Sequence, residues 1–137
     1  MSVMPDADQV QALAEKGPEV PIVMVNLLEF RERAEYEPSQ PEVREGISGV
    51  EAYQRYGAVA QKCVAEVGGS IVWAGQQAIV FIGRGEQDWD QIVCVRYPSR
   101  QAFLWMVFQP HYLAASIHRT AGLERTALLC CAAGTAA

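Results

Sequence analysis

The chain has 137 residues, half of them hydrophobic and a fifth charged, with a formal net charge of -5. That length suits one domain, able to bury roughly two thirds of its unfolded surface without staples. The acidic balance and the dispersed Lys and Arg exclude the basic stripe of a nucleic-acid binder, and no apolar run approaches the ~20 residues that span a bilayer.

The first residues, "MSVMPDADQV", lack a basic region followed by an apolar core, so no signal peptide is expected. Asp6 to Lys16 reads as a short helix capped by Asp6 or Asp8 and ended by Gly17-Pro18. "PIVMVNLLEF" (21–30) is a nearly continuous, β-branched apolar run and predicts a buried strand. Its polar intruder is Asn26, which by alternation shares a face with Ile22, Met24, Leu28 and Phe30. Residues 31–47 are charged, contain Pro38 and Pro41, and show no period. A loop of that length is a lid, a binding loop or a disordered segment. Ser48 and Glu51 then form an S-x-x-E capping box for a long helix carrying Tyr53, Gly57, Ala60, Val64 and Val67, closed by Gly68-Gly69.

"SIVWAGQQAIVFIG" (70–83) predicts a strand with a bulge or turn near Gly75, and 89–97 predicts the next. Pro98 ends that strand and Ser99 caps a helix bearing Phe103, Leu104 and Val107. Pro110 starts another helix, "PHYLAASIHRTAG", and 123–131 is the last strand. The domain limits are then an N-terminal helical extension over 1–20, a core domain over 21–132 and a frayed tail over 133–137. The core order is βαββαβ: a ferredoxin-like α+β fold with an antiparallel sheet and helices on one face. "AIVFIG" and "QIVCV" are apolar on both faces, so something must cover the helix-free side. A second copy is the simplest cover, which predicts a homodimer.

Within this frame, "PIVMVNLLEF", "SGVEAYQRYG", "VGGSIVWAG", "DWDQIVCVRYPSRQAFLWMV" and "PHYLAASIHRTAGLERTALL" resemble the domain-of-unknown-function 1330 family of the dimeric α/β-barrel superfamily. The resemblance runs from about Pro21 to Leu129. Its most specific pieces are Trp89-Asp90, the Arg96-Tyr97-Pro98-Ser99 turn with Phe103, and His118-Arg119. It implies ferredoxin-like subunits paired into a barrel and no settled activity. The superfamily holds cofactor-free monooxygenases, isomerases, haem enzymes and ligand-binding regulators, so fold alone chooses none of them.

Arg96 lies by alternation with Ile92 and Cys94, where a covered guanidinium demands an anionic partner and an uncovered one snorkels to water. Asn26 needs a hydrogen bond, from backbone or from a ligand. Tyr56 flanks the apolar stripe of its helix and can hang its hydroxyl into a cleft. Trp89 opens a strand and reads as an edge cap or pocket rim. His118 is a single imidazole able to shuttle protons, and Arg119 beside it can hold an anion, or both fasten the helix to a loop or partner. His111 and His118 sit two turns apart, about 10 Å, so they cannot share one metal ion. Cys63, Cys94, Cys130 and Cys131 form no CxxC pair and have no histidine at ligand spacing. We therefore expect reduced thiols, a cytoplasmic protein, and no metal, haem or other cofactor. Asn26, Tyr56, Trp89 and Arg96 are the expected ligand-binding residues, with His118 and Arg119 catalytic. Two functions stay open. One is a cofactor-independent isomerase or monooxygenase acting on a small apolar anion, with its pocket between sheet and helices. The other is a non-catalytic ligand-binding or dimeric assembly module.

Overall fold

The computed structural model describes residues 3–15 and 19–134. Among them four α-helices and four strands follow the order α1 (Ala7–Glu15), β1 (Ile22–Phe30), α2 (Gly49–Glu66), β2 (Ser70–Gln76), β3 (Gln91–Tyr97), α3 (Arg100–Val107), α4 (Pro110–Gly122) and β4 (Leu123–Ala132). The strands form one antiparallel sheet in the order β2-β3-β1-β4, the ferredoxin-like arrangement. No described helix is long and apolar enough to cross a membrane.

The local signals act as their chemistry requires. Ser48 Oγ accepts the Glu51 amide at 3.1 Å and Ser99 Oγ accepts that of Ala102 at 3.1 Å. Asp6 and Gln9 cap α1 reciprocally, at 2.9 and 3.0 Å. The expected stop of that helix at Lys16, Gly17 and Pro18 lies outside the described residues. Gly68 takes φ +80° after α2, and the Gly69 amide reaches back to Val64 O at 2.8 Å. This is a Schellman closure, which wants glycine at the left-handed position.

Alternation divides the sheet. Ile22, Met24 and Leu28 of β1, with Val95 and Tyr97 of β3, are buried beneath the helices. The core joins Ile22, Met24, Val95 and Tyr97 to Cys63 and Val64 of α2 and Met106 of α3. The antiparallel registers put Val23, Val25, Leu27, Ile92, Cys94, Arg96, Leu129 and Trp73 on the opposite face. The first five of these are part-exposed, and Arg96, Leu129 and Trp73 are exposed.

Two expectations change. The strand foreseen over 70–83 stops at Gln76. β3 begins only at Gln91, Gln91 faces Gln76, and the Gln77 amide closes on Asp90 O at 3.2 Å. Residues beyond it have no ladder to join. "AIVFIG" is therefore an exposed loop, with Ile79 74%, Phe81 91% and Ile82 87% accessible. The irregularity foreseen near Gly75 instead falls between Ile71 and Trp73.

The 31–47 segment is pinned rather than free. Arg31 N and Glu35 N donate to Gly122 O and Ala121 O at 2.8 and 2.9 Å, and Ala34 N to Ile47 O at 3.0 Å. Arg55 holds Glu45 by two hydrogen bonds, at 2.8 and 3.3 Å.

Candidate functional site

A cleft opens between the helix-facing side of the sheet and helices α2, α3 and α4. Its floor includes Met24 and Asn26 of β1, Val93 and Val95 of β3, and Thr126 and Leu128 of β4. Register explains the set, since Asn26 stands opposite both Val93 and Leu128. The roof carries Tyr53, Tyr56 and Gly57 from α2 and Tyr112, Ser116 and Arg119 from α4. Those α4 residues are spaced by four and three, one stripe of a helix. Val3, Met4, Asp6, Gln9 and Val10 line the same cleft, so the N-terminal segment borders it, whereas the middle of the 31–47 loop does not.

The centre of the roof is a pair of phenols. Tyr56 Oη and Tyr112 Oη are 2.7 Å apart, and their rings meet edge to face at 5.8 Å. Tyr53 packs on Tyr56 at 5.3 Å and on Phe30 at 5.3 Å. Burial is the main force on all three hydroxyls. It pushes Tyr53 up to about 12 and raises Tyr56 well above 10.0, and Tyr112 is raised as well. Arg119 opposes the shift in each case by favouring the phenolate, and for Tyr112 the hydrogen bond from Tyr56 opposes it more strongly. At neutral pH these groups are therefore neutral hydrogen-bonding hydroxyls, not phenolate bases. In the Tyr56–Tyr112 pair one proton makes the mutual bond, and the second has no acceptor among the described residues.

These shifts carry a pH dependence. The unfolded tyrosines ionise near pH 10 and the folded ones higher, so below pH 10 their contribution to stability is complete. As pH rises through the folded values it is lost, at up to about 1.4 kcal/mol per pH unit for each residue. Urea midpoints should agree at pH 8 and 9 and drop at pH 11, with a shallower drop in Tyr53→Phe. Equal midpoints at pH 9 and 11 would contradict this.

The other foreseen residues divide. Asn26 Nδ2 donates to Val93 O at 3.1 Å and Met24 O at 3.4 Å, leaving its Oδ1 without a described partner. Arg119 donates to Val3 O at 3.1 Å and Thr126 Oγ1 at 3.5 Å, which ties the N-terminal segment to α4. Trp89 is buried at the cleft, its indole Nε1 unpartnered. The guanidinium of Arg125 sits 3.8 Å over its ring. Arg125 also bonds Glu29 at 2.9 Å, Glu86 O at 2.6 Å and Asp88 O at 3.0 Å, so it latches the loop that enters β3. Asn26, Tyr56, Trp89 and Arg119 thus share one cleft.

Arg96 does not. It lies across from Val23 and Ser70 on the helix-free face, so it cannot line a pocket beneath the helices. The alternation that placed it with Ile92 and Cys94 already separates it from Asn26. His118 is not a cleft residue either. Its Nδ1 is 2.7 Å from Tyr36 Oη and its ring meets Tyr36 edge to face, fastening α4 to the 31–47 segment. His118 and Arg119 are neighbours on a helix, about 100° apart, and so face different surroundings.

Tyr112 was not foreseen. Its signal was the Tyr112, Ser116, Arg119 stripe. The fold also brings Cys63, Glu66 and His111 together, with ligand atoms within 4.8 Å of one another. Cys63 and Pro110, where that helix starts, lie 47 positions apart in the sequence, so spacing could not reveal the cluster.

Comparison with known proteins adds the lineage. A family model described as "Domain of unknown function (DUF1330)" matches residues 42–132. The RPA0582 protein of unknown function from Rhodopseudomonas palustris is similar to this chain at 30% identity, over 98% of each chain, with a TM-score of 0.87. A Dabb family protein with a ferredoxin-like fold from Mesorhizobium loti matches at 12% identity over 80% of this chain and 93% of its own, with a TM-score of 0.50, a likeness of fold alone. No curated protein matches.

Proposed function

Because the chain belongs to the DUF1330 family, whose description assigns no activity, we propose from its cleft that it binds a small, largely apolar molecule carrying a hydrogen-bonding oxygen. The observation that carries this reading is the Tyr56–Tyr112 hydroxyl pair, with its spare proton inside an apolar cleft. The pair is part-buried, and a ligand that closes the cleft to water would have to match this donor with an oxygen of its own. Asn26 Oδ1 adds an acceptor on the floor of the cleft. Gly57 supports the same reading. It lies inside α2, where glycine costs about 1 kcal/mol relative to alanine, yet a Cβ there would meet nothing within 4 Å. Its absent side chain leaves room in the cleft.

The finer reading is a cofactor-independent enzyme of isomerase or monooxygenase type. A carbonyl or enolate oxygen held by the neutral phenols would be stabilised as charge develops on it, and Arg119 would favour an anionic substrate. His118 and Arg96 have no part in it. A non-catalytic binding module would use the same contacts without turnover.

The test is a thermal-shift panel of small aryl ketones, phenols and carboxylates, with hits measured by calorimetry. Tyr56→Phe should weaken a hit about tenfold, the value of one buried hydrogen bond near 1.4 kcal/mol. Arg96→Ala should leave it unchanged. If no compound binds and native mass spectrometry finds no co-purifying molecule, the ligand reading fails.

The working form we propose is a homodimer, with the helix-free sheet faces opposed. Val25, Leu27, Ile92, Cys94 and Leu129 make an apolar face that no described element covers, and Ile79, Phe81 and Ile82 in the loop between β2 and β3 are exposed to solvent. An apolar patch of this kind on a small domain marks an interaction surface. The isologous contact of two copies buries it twice.

A further inference from the structure

Outside the cleft, one cluster of side chains has no part in ligand binding. Cys63 and Glu66 are three residues apart on α2, so both project from one face. His111 is the second residue of α4, which runs antiparallel to α2, and this brings its ring beside them. Cys63 Sγ, a Glu66 oxygen and a His111 ring nitrogen all lie within 4.8 Å of one another. Glu66 Oε1 and His111 Nε2 are 3.4 Å apart.

Those separations lie within about 1 Å of a tetrahedral metal centre. Zinc holds nitrogen and oxygen at about 2.0–2.1 Å and thiolate at about 2.3 Å, which places the first two atoms about 3.3 Å apart and the sulfur about 3.6 Å from each. The glutamate–histidine edge already has that length. The sulfur edges close with movements of about 1 Å, within the reach of a side-chain torsion. The donor set also selects the ion. One thiolate with one imidazole and one carboxylate suits a borderline metal, and disfavours magnesium or calcium, which prefer oxygen alone. Cys63 is 1% exposed, whereas the Glu66 and His111 side chains are 51% and 49% exposed. The soft ligand therefore sits inside, the two harder ones at the surface, and a fourth position faces water.

We propose that Cys63, Glu66 and His111 form a binding site for one zinc-type divalent cation, with water completing the tetrahedron. The site is independent of the cleft. It would tie the C-terminal part of α2 to the first turn of α4, next to Tyr112, and so brace the helix pair that carries the two phenols.

The test uses the full chain, stripped of metal and kept reduced with a phosphine, titrated with Co²⁺ as a spectroscopic probe. The expected result is saturation at one Co²⁺ per chain, with tetrahedral visible bands and a thiolate-to-cobalt charge-transfer band that Zn²⁺ abolishes by displacement. Cys63→Ser should remove the charge-transfer band. Because Cys63 packs in the core, Glu66→Gln and His111→Asn at half-exposed positions provide the second check, each weakening Co²⁺ at least tenfold with an unchanged far-ultraviolet spectrum. A charge-transfer band that survives Cys63→Ser would assign the metal to Cys94 or to the Cys130–Cys131 pair and overturn the proposal. So would the absence of stoichiometric binding at micromolar protein, or a Glu–His pair whose loss leaves cobalt affinity unchanged.

Discussion

Replacing Gly49 with alanine is expected to cost about 3 kcal/mol or more, a severe loss for a domain of this size. Gly49 opens α2 where the chain crosses the end of α4. Its amide donates to Arg31 O at 3.1 Å, and the Arg31 amide donates to Gly122 O at 2.8 Å. A Cβ at Gly49 would fall inside contact with Arg31 O, 2.6 Å from Gly122 O and 2.7 Å from Arg31 N. All three are backbone atoms, so no rotamer change relieves the clash, and both hydrogen bonds must lengthen. The control is Gly57→Ala on the same helix. It meets nothing within 4 Å and should gain about 0.5–1 kcal/mol from helix propensity. Urea denaturation of the two variants should move the midpoint in opposite directions. A Gly49→Ala midpoint within error of the wild type would show that α2 and α4 do not approach this closely.

The second large effect is on assembly. The wild type should run at twice the 15.1 kDa chain mass. Phe81→Asp and Leu129→Asp should each shift it toward a single chain, by at least about 2 kcal/mol, roughly a 30-fold weaker dimer. Phe81 is 91% and Leu129 49% exposed within one subunit, so an aspartate at either site costs the isolated fold little. An effect on mass with an unchanged far-ultraviolet spectrum therefore reports the partner. Light scattering at several concentrations decides it. A wild type that scatters as a single chain at micromolar concentration would remove the sheet-on-sheet dimer, and with it the explanation for the exposed Ile79, Phe81 and Ile82.

How much of the site could be read in advance depends on the residue. Asn26 was legible because a lone amide on an apolar strand face breaks a period of two, and that period survives folding. Tyr56 was placed at a cleft from its position beside the apolar stripe of its helix, and it does line the cleft. Arg96 was placed on the correct face but assigned to the wrong space, since alternation says which side a residue takes and not what lies there. The pairing of His118 with Tyr36 spans 82 residues, and that of Tyr56 with Tyr112 spans 56, and no local pattern encodes either.

The amino-acid sequence by itself determined the elements and their order. Caps at Ser48 and Ser99, the Gly68 closure, the prolines at 98 and 110 and the apolar periods all act within a few residues, through backbone hydrogen bonds and local sterics. It also carried the family resemblance and the ferredoxin-like class, because βαββαβ order with right-handed, unknotted connections leaves few topologies. Tertiary structure alone decided what faces what. It ended β2 at Gln76 because the partner strand begins at Gln91, and it left Phe81 in solvent. It paired the phenols of Tyr56 and Tyr112, and it brought Cys63, Glu66 and His111 together by packing α4 antiparallel to α2. Those outcomes depend on contacts between residues distant in the chain, whose energies arise only once the sheet and helices have closed on one another.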